Sequence, residues 1–123
     1  MSVERVLPPS LLVRSMPGRR VVTAGVWVRW GSAHDPAPHA GATHLVEHLT
    51  LRRCGERSRK ELARLVDRLG GDVDAWTSSE LMGLSVQTTV VALVVALDLL
   101  DDAVLSPPFD RLVVVLERRV TLA

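Results

Sequence analysis

The sequence has 123 residues, of which 47% are hydrophobic and 24% are charged, and this balance predicts a folded globular protein rather than a disordered chain. Fifteen basic and fourteen acidic side chains give a net charge of +1, which argues against a nucleic acid or an anionic membrane surface as partner. The start, MSVERVLPPS, lacks a secretory pattern and the longest apolar run, Val90 to Leu97, is too short to span a bilayer, so we expect a cytoplasmic protein.

The first part of the chain predicts a β-hairpin followed by a connection. Leu11 to Arg14 is predicted to form a short strand, and Pro17-Gly18 a turn. Apolar and polar residues then alternate over residues 22–30, which is the pattern of a half-buried strand. Its predicted inward residues are Val22, Ala24, Val26, Val28 and Trp30. Residues 31–41 are rich in Gly, Pro and His, so they are predicted to connect the hairpin to a helix.

Two helices are predicted in the middle of the chain. The first runs from about Gly41 to Arg53, where the apolar residues take helical spacing and arginines stand in the last turn. The second begins at a capping box, because Ser58 is followed three residues later by Glu61, and it ends at Gly70-Gly71. The apolar stripe of this second helix consists of Leu62, Leu65, Val66 and Leu69.

The remaining residues predict two strands and two further segments. The strands cover Val73 to Ser78 and Glu80 to Thr88. The inward residues of the second of these strands are Met82, Leu84 and Val86. A helix through Leu105 follows from Thr89, and we expect it to be buried almost all round. Its apolar residues are Val90, Val91, Leu93, Val94, Leu97 and Leu100. Asp110 is the predicted N-cap of a last segment, whose β-branched residues leave helix and strand both open.

The predicted order of elements is strand, strand, helix, helix, strand, strand, helix, helix. Runs of this kind are typical of an α+β domain, with an antiparallel or mixed sheet and helices packed on one face. The length fits one domain, and the lone Cys54 excludes a disulfide within the chain.

The segment THLVEHLT, residues 43–50, contains the candidate metal ligands and the candidate base. It places His44 and His48 one helical turn apart, where residues lie about 5–6 Å from each other, and Glu47 shares their face. Two imidazoles spaced in this way can hold zinc, which takes nitrogen ligands and in catalytic sites keeps a position for water. A neighbouring carboxylate can accept the proton of that water and pass it to a leaving amine. The five-residue pattern alone also fits two histidines that merely share a helix face.

The surrounding sequence favours the zinc interpretation. Four stretches stand in order along the chain: VWVRWGSAHDP, GATHLVEHLTL, RSRKELARLVDRLGGDVDAWTSSE and LLDDAVLSPPFDRLVVVLERRVTLA. Over about residues 10–123 they resemble the N-terminal domain of the inverted-zincin peptidases, the family of insulin-degrading enzyme, pitrilysin and the mitochondrial processing peptidase. The resemblance implies zinc as the cofactor, His44 and His48 as its ligands, and Glu47 as the general base.

The resemblance also implies a strand that binds the substrate peptide. Asp74, Ala75, Trp76 and Thr77 are similar to the family's Asn-Ala-aromatic-Thr edge strand, against which the peptide is laid as an additional strand, with Asp74 in place of the usual Asn. Trp76 would then offer an apolar wall to a substrate side chain. A core or cross-strand aromatic is the alternative role for Trp76.

A third zinc ligand is part of the family pattern. The family has a motif of the form Glu-Arg-x-Val-x-x-x-Glu, and Glu117 matches its first Glu, which supports the site from close by. The second Glu, the ligand, would follow Ala123 directly. The chain is therefore a fragment of a longer reading frame, or Glu117 substitutes as the ligand. We expect a fragment, because the two positions are about 10 Å apart along a helix.

These observations predict a single, truncated N-terminal peptidase domain over residues 1–123. The resemblance implies that a second homologous half, in the same longer chain or in a separate subunit, completes the active chamber for a peptide substrate. The predicted activity is that of a zinc metalloendopeptidase, weak or silent in this chain alone. A non-catalytic peptide-binding or partner subunit is the main alternative, and a small metal-binding module is the third.

Overall fold

A computed structural model describes residues 10–52, 54–106, 111, 114–115 and 118–119. The strands in this part of the chain are β1 (Val21–Val28), β2 (Asp72–Thr77) and β3 (Met82–Thr89). The α-helices that the structure delimits are α1 (Ala42–Thr50), α2 (Arg59–Leu69) and α3 (Leu93–Leu105). Short 3-10 turns cover Ser32–His34, Ala37–His39 and Val90–Ala92. This arrangement confirms the predicted α+β class.

The described strands form one antiparallel sheet in the order β1-β3-β2. The register places Leu84 of β3 opposite both Val26 of β1 and Ala75 of β2, so these three side chains share one face. Since β3 is central, β1 and β2 are the two edges of the described sheet.

The hydrophobic core lies between one face of this sheet and the helices. Leu84 and Val86 of β3 supply the sheet side, and the buried residue Cys54 packs into the same cluster. The helices contribute Leu62, Leu65, Leu69, Ala96, Leu99, Leu100 and Ala103. Burying a Leu side chain fully is worth about 1.5–3 kcal/mol, so α2 and α3 are held to the sheet chiefly by these residues.

Local sequence signals define α2 as predicted. The Ser58 hydroxyl accepts a hydrogen bond from the Glu61 backbone N–H at 3.3 Å, and Glu61 Oε2 accepts one from the Ser58 N–H at 2.8 Å. Glu61 Oε2 also accepts a hydrogen bond from the Ser58 hydroxyl at 2.8 Å. The bonds that the Ser58 N–H and hydroxyl donate to this carboxylate lower the pKa of Glu61 below its ordinary value. At the other end Gly70 takes a left-handed conformation with φ of 65°, which ends the helix where the sequence predicted.

The prediction of an N-terminal hairpin is wrong. Residues Leu11 to Arg14 form no strand, and Leu11 and Leu12 are exposed. The strand β1 pairs instead with β3, and the pairing runs from Val21 opposite Thr89 to Val28 opposite Met82. The longer partner wins because it supplies a ladder along the whole of β1 and places its apolar face on the core.

The prediction that the helix after β3 is buried almost all round is also wrong. In α3 the buried residues are Ala96, Leu99, Leu100 and Ala103, which lie on one helical face. Val91 is 95% exposed, Val94 69% and Leu97 48%. Only one stripe of a helix can contact a sheet in a two-layer packing, and the remaining apolar residues therefore face outward.

Two predicted helices have ends that lie partly outside the described residues. The helix α1 ends at Thr50, before the predicted Arg53, which lies outside the described residues. Arg111, Val114, Val115, Arg118 and Arg119 are helical, which favours a helix over a strand for the last segment. Asp110 and Glu117 lie outside the described residues. Among the helices that the structure describes, none has both the length and the apolar character needed to cross a bilayer.

Candidate metal centre

The helix α1 is anchored at its start by an aspartate from the preceding loop. Its N-cap residue, Gly41, has a φ of 88° and supplies no side-chain cap. The carboxylate of Asp35 acts in its place, because it accepts hydrogen bonds from the backbone N–H groups of Gly41 at 3.1 Å and Thr43 at 3.2 Å, and from the Thr43 hydroxyl. The bond from the Thr43 hydroxyl is the largest cause that lowers the pKa of Asp35 below its ordinary value. Asp35 thereby fixes the first turn of the helix that carries His44.

The two histidines of α1 converge. The Nε2 atoms of His44 and His48 are 3.0 Å apart, and the ring centroids are 4.6 Å apart with the ring planes at 78°. Two nitrogens bound at about 2.0–2.1 Å to one tetrahedral ion would be separated by about 3.3–3.4 Å. The observed rings therefore need to move by only a few tenths of an ångström to share an ion.

Glu47 completes a set of three possible ligands. One ligand atom from each of His44, Glu47 and His48 can be chosen so that all of them lie within 4.8 Å of one another. Imidazole nitrogen and carboxylate oxygen are donors that zinc accepts. This set can hold a metal ion. Glu117, the predicted supporting or substitute ligand, lies outside the described residues.

The strand β2 meets α1 at this site. The Thr77 hydroxyl donates a hydrogen bond to Glu47 Oε2 at 2.6 Å. Asp74, Ala75, Trp76 and Thr77 all lie in β2, which pairs on one side with β3. Within the part of the chain that the structure describes, no strand pairs with the other side of β2. The predicted substrate strand is thus an edge strand beside Glu47.

Trp76 lies on the opposite face of β2 from Thr77, because side chains alternate along a strand. Its indole covers Gly83 of β3, and a Cβ at Gly83 would lie 2.6 Å from the Trp76 ring. The partly buried Trp76 is therefore packed across the sheet. The structure brings Thr77, rather than Trp76, to the carboxylate of Glu47.

A mostly apolar groove of about 190 Å³ opens beside Glu47. It lies between α1, the core face of the sheet and α3, and its lining includes Val26, Val46, Ala75 and Val104. No local pattern in the sequence predicts this groove, because it forms only when segments far apart in the chain pack together.

Two contacts at the site, made by Asp35 and by Thr77, were not predicted from the sequence. Asp35 lies in the loop before α1 and Thr77 lies in the strand that had been assigned to the substrate. The only local signal for the first is an acidic residue followed by Pro36 shortly before a helix. The contact of Thr77 with Glu47 joins residues 30 positions apart and has no local signal.

A comparison with known protein families identifies the family of this chain. The family described as Insulinase (Peptidase family M16) matches residues 11–123. The chain belongs to the M16 insulinase family. This finding confirms the resemblance seen in the sequence, and the M16 match extends over all of the elements that the structure delimits.

Relatives of this M16 chain are named as zinc proteases. The chain is 35% identical over 118 residues to an uncharacterized zinc protease of Mycobacterium leprae, which covers 94% of this chain and 26% of the relative. It is 32% identical over 101 residues to the uncharacterized zinc protease YmxG of Bacillus subtilis, covering 82% of this chain and 25% of the relative. The M16 chain therefore spans about a quarter of the length of these two relatives.

A solved structure supports the same fold. The crystal structure of pitrilysin matches with a TM-score of 0.75 and 27% identity, covering 86% of this chain and 11% of that chain. The M16 chain thus has the fold of part of a pitrilysin-like protease.

Proposed function

We propose that this chain is the catalytic part of a zinc-dependent endopeptidase, in which His44 and His48 bind zinc and Glu47 is the general base. The observation that carries the proposal is the convergence of the two Nε2 atoms at 3.0 Å with Glu47 on the same helix face. The names of the relatives from Mycobacterium leprae and Bacillus subtilis support zinc as the metal.

Zinc, when bound, supplies a Lewis acid that lowers the pKa of water to around 7 and polarises a carbonyl. Glu47 accepts the proton of the attacking water and transfers it to the nitrogen of the leaving amine. The Thr77 hydroxyl already donates to Oε2, so Oε1 is the oxygen that receives the proton. Asp35 and Thr43 hold the start of α1, the helix that places His44 next to His48.

The substrate in this proposal is a peptide in extended conformation. It pairs with the edge of β2 that no described strand occupies, so that Asp74, Ala75, Trp76 and Thr77 hold its backbone next to Glu47. Pairing through backbone hydrogen bonds reads little of the substrate's sequence, which suits cleavage of varied peptides. Trp76 remains a candidate for contact with a substrate side chain on the far face of the strand.

A second homologous half completes the site. This chain spans about a quarter of the length of the relatives that are named as zinc proteases. Within the described residues, the candidate metal site has two histidines and the base, so a further ligand and further substrate contacts must come from elsewhere. The chain alone is therefore a weak or silent peptidase.

Zinc binding and peptide cleavage by the full-length protein test the proposal. We expect one zinc per polypeptide by elemental analysis, hydrolysis of an unfolded peptide, and loss of both when a chelator removes the metal. His44→Ala should lower metal affinity by about a hundredfold or more, because two imidazoles are the core of the site. His39→Ala, which changes an exposed histidine in the loop before α1, is the matched control and should keep the metal.

The alternative is a non-catalytic peptide-binding subunit. The edge of β2 with which no described strand pairs favours it equally, since strand addition needs no metal. Peptide binding that ignores the chelator and survives His44→Ala, without any cleavage, would establish this alternative and contradict the peptidase proposal.

A further inference from the structure

One hydrogen bond joins the helix of the candidate metal centre to the edge strand. Thr77 Oγ1 donates to Glu47 Oε2 at 2.6 Å. This length is typical of an O–H donor on a carboxylate, which is a stronger bond than one between neutral groups. Both residues are partly buried, so solvent competes less for the carboxylate than at an open surface. The bond therefore determines where the carboxylate of Glu47 lies.

The same carboxylate is close enough to act as a metal ligand. Ligand atoms of His44, Glu47 and His48 lie within 4.8 Å of one another. Carboxylate oxygens bind zinc at about 2.0–2.2 Å, and a short side-chain rotation would bring Glu47 into that range. A carboxylate that coordinates the metal cannot also serve as a free proton acceptor. A contact that holds Glu47 away from the two histidines would therefore preserve its role as a base.

We propose that Thr77 is a positioning residue that holds Glu47 as a base and restrains it from becoming a metal ligand. The inference rests on the proposed function. Thr77 is suited to this role because β-branching restricts its side-chain rotamers. Its backbone is fixed opposite Met82 in the ladder between β2 and β3. The position of the edge strand thus sets the position of the carboxylate.

Cobalt binding shows whether Glu47 is a metal ligand or stays free to act as a base. Co²⁺ is titrated into the metal-free full-length protein, and its visible absorption reports the number and kind of ligands. Thr77→Val keeps the shape of the side chain and removes the hydroxyl, whereas Thr77→Ser keeps the hydroxyl. Thr23→Val, an equivalent change at an exposed position of β1, is the matched control.

We expect Thr77→Val to bind Co²⁺ roughly tenfold more tightly and with a changed spectrum, because the released carboxylate adds a ligand. Thr77→Ser and Thr23→Val should give the spectrum and affinity of the parent. In a Glu47→Gln background the Thr77→Val change should have no effect on either quantity, because no carboxylate remains to be released.

Two results would overturn the inference alone while leaving the proposed function standing. One is a parent that binds Co²⁺ with a spectrum and affinity that Thr77→Val leaves unchanged. The other is an effect of Thr77→Val that persists at full size in the Glu47→Gln background. A parent protein that binds no Co²⁺ at all would instead overturn the proposed function, and this inference with it. Circular dichroism of each variant confirms that the comparison is made between folded proteins.

Discussion

Glu47→Gln is expected to lower the turnover of an unfolded peptide by about a hundredfold to ten-thousandfold, the usual contribution of general base catalysis. Gln has nearly the shape of Glu and can still accept a bond from Thr77, but it cannot take a proton from water. Zinc content should therefore stay at the parent level. The measurement is kcat on a quenched fluorescent peptide, with elemental analysis of the same sample.

The matched control is Glu56→Gln, which changes an exposed glutamate in the turn between α1 and α2. It removes the same charge without touching the site and should leave both quantities unchanged. Turnover by Glu47→Gln within a few-fold of the parent would contradict the role of Glu47 as base. Loss of zinc together with activity would make Glu47 a ligand instead.

Leu99→Ala is expected to destabilise the protein by about 2–5 kcal/mol, the range for removing a buried Leu side chain. Leu99 is 1% exposed and belongs to the hydrophobic core between α3 and the sheet. Leu97→Ala is its matched control, because Leu97 lies on the same helix and is 48% exposed. The control should cost less than about 1 kcal/mol. Urea unfolding of the parent and both variants measures the difference.

This comparison tests which face of α3 packs on the sheet. Equal losses in free energy of unfolding for the two variants would mean that α3 is buried on both sides in the protein. A larger loss for Leu97→Ala would mean that the helix is rotated relative to the structure described above.

The parts of the fold that the sequence predicted are those defined by near neighbours in the chain. The helix α2 is set by Ser58, Glu61 and Gly70, each within a turn of the end that it defines. The inward residues of β3, such as Leu84 and Val86, follow from alternation within one strand. Such signals need no knowledge of the partner segment.

The errors concern contacts between segments that are distant in the chain. The alternation in β1 shows that it is a strand but does not say which strand it pairs with, and the nearest apolar run, Leu11 to Arg14, was the wrong partner. Most positions of α3 are apolar, so the pattern did not separate the face with Ala96 and Leu99, which packs on the sheet, from exposed positions such as Val94.

In the candidate site too, the local spacing was predicted and the contacts with distant segments were not. The spacing of His44, Glu47 and His48 in one helix predicts that their side chains lie together, and they do. The contacts that orient them, from Asp35 and Thr77, come from other segments and could not be predicted. The roles assigned to these residues and to Glu117 remain predictions.

The most direct test of the zinc site is a crystal structure of the zinc-loaded protein with anomalous data collected on both sides of the zinc absorption edge. We expect an anomalous peak between the rings of His44 and His48, about 2.0–2.1 Å from each Nε2 atom, with Glu47 outside bonding distance. A peak at another position, or histidine rings turned apart into apolar contacts with no peak between them, would contradict it.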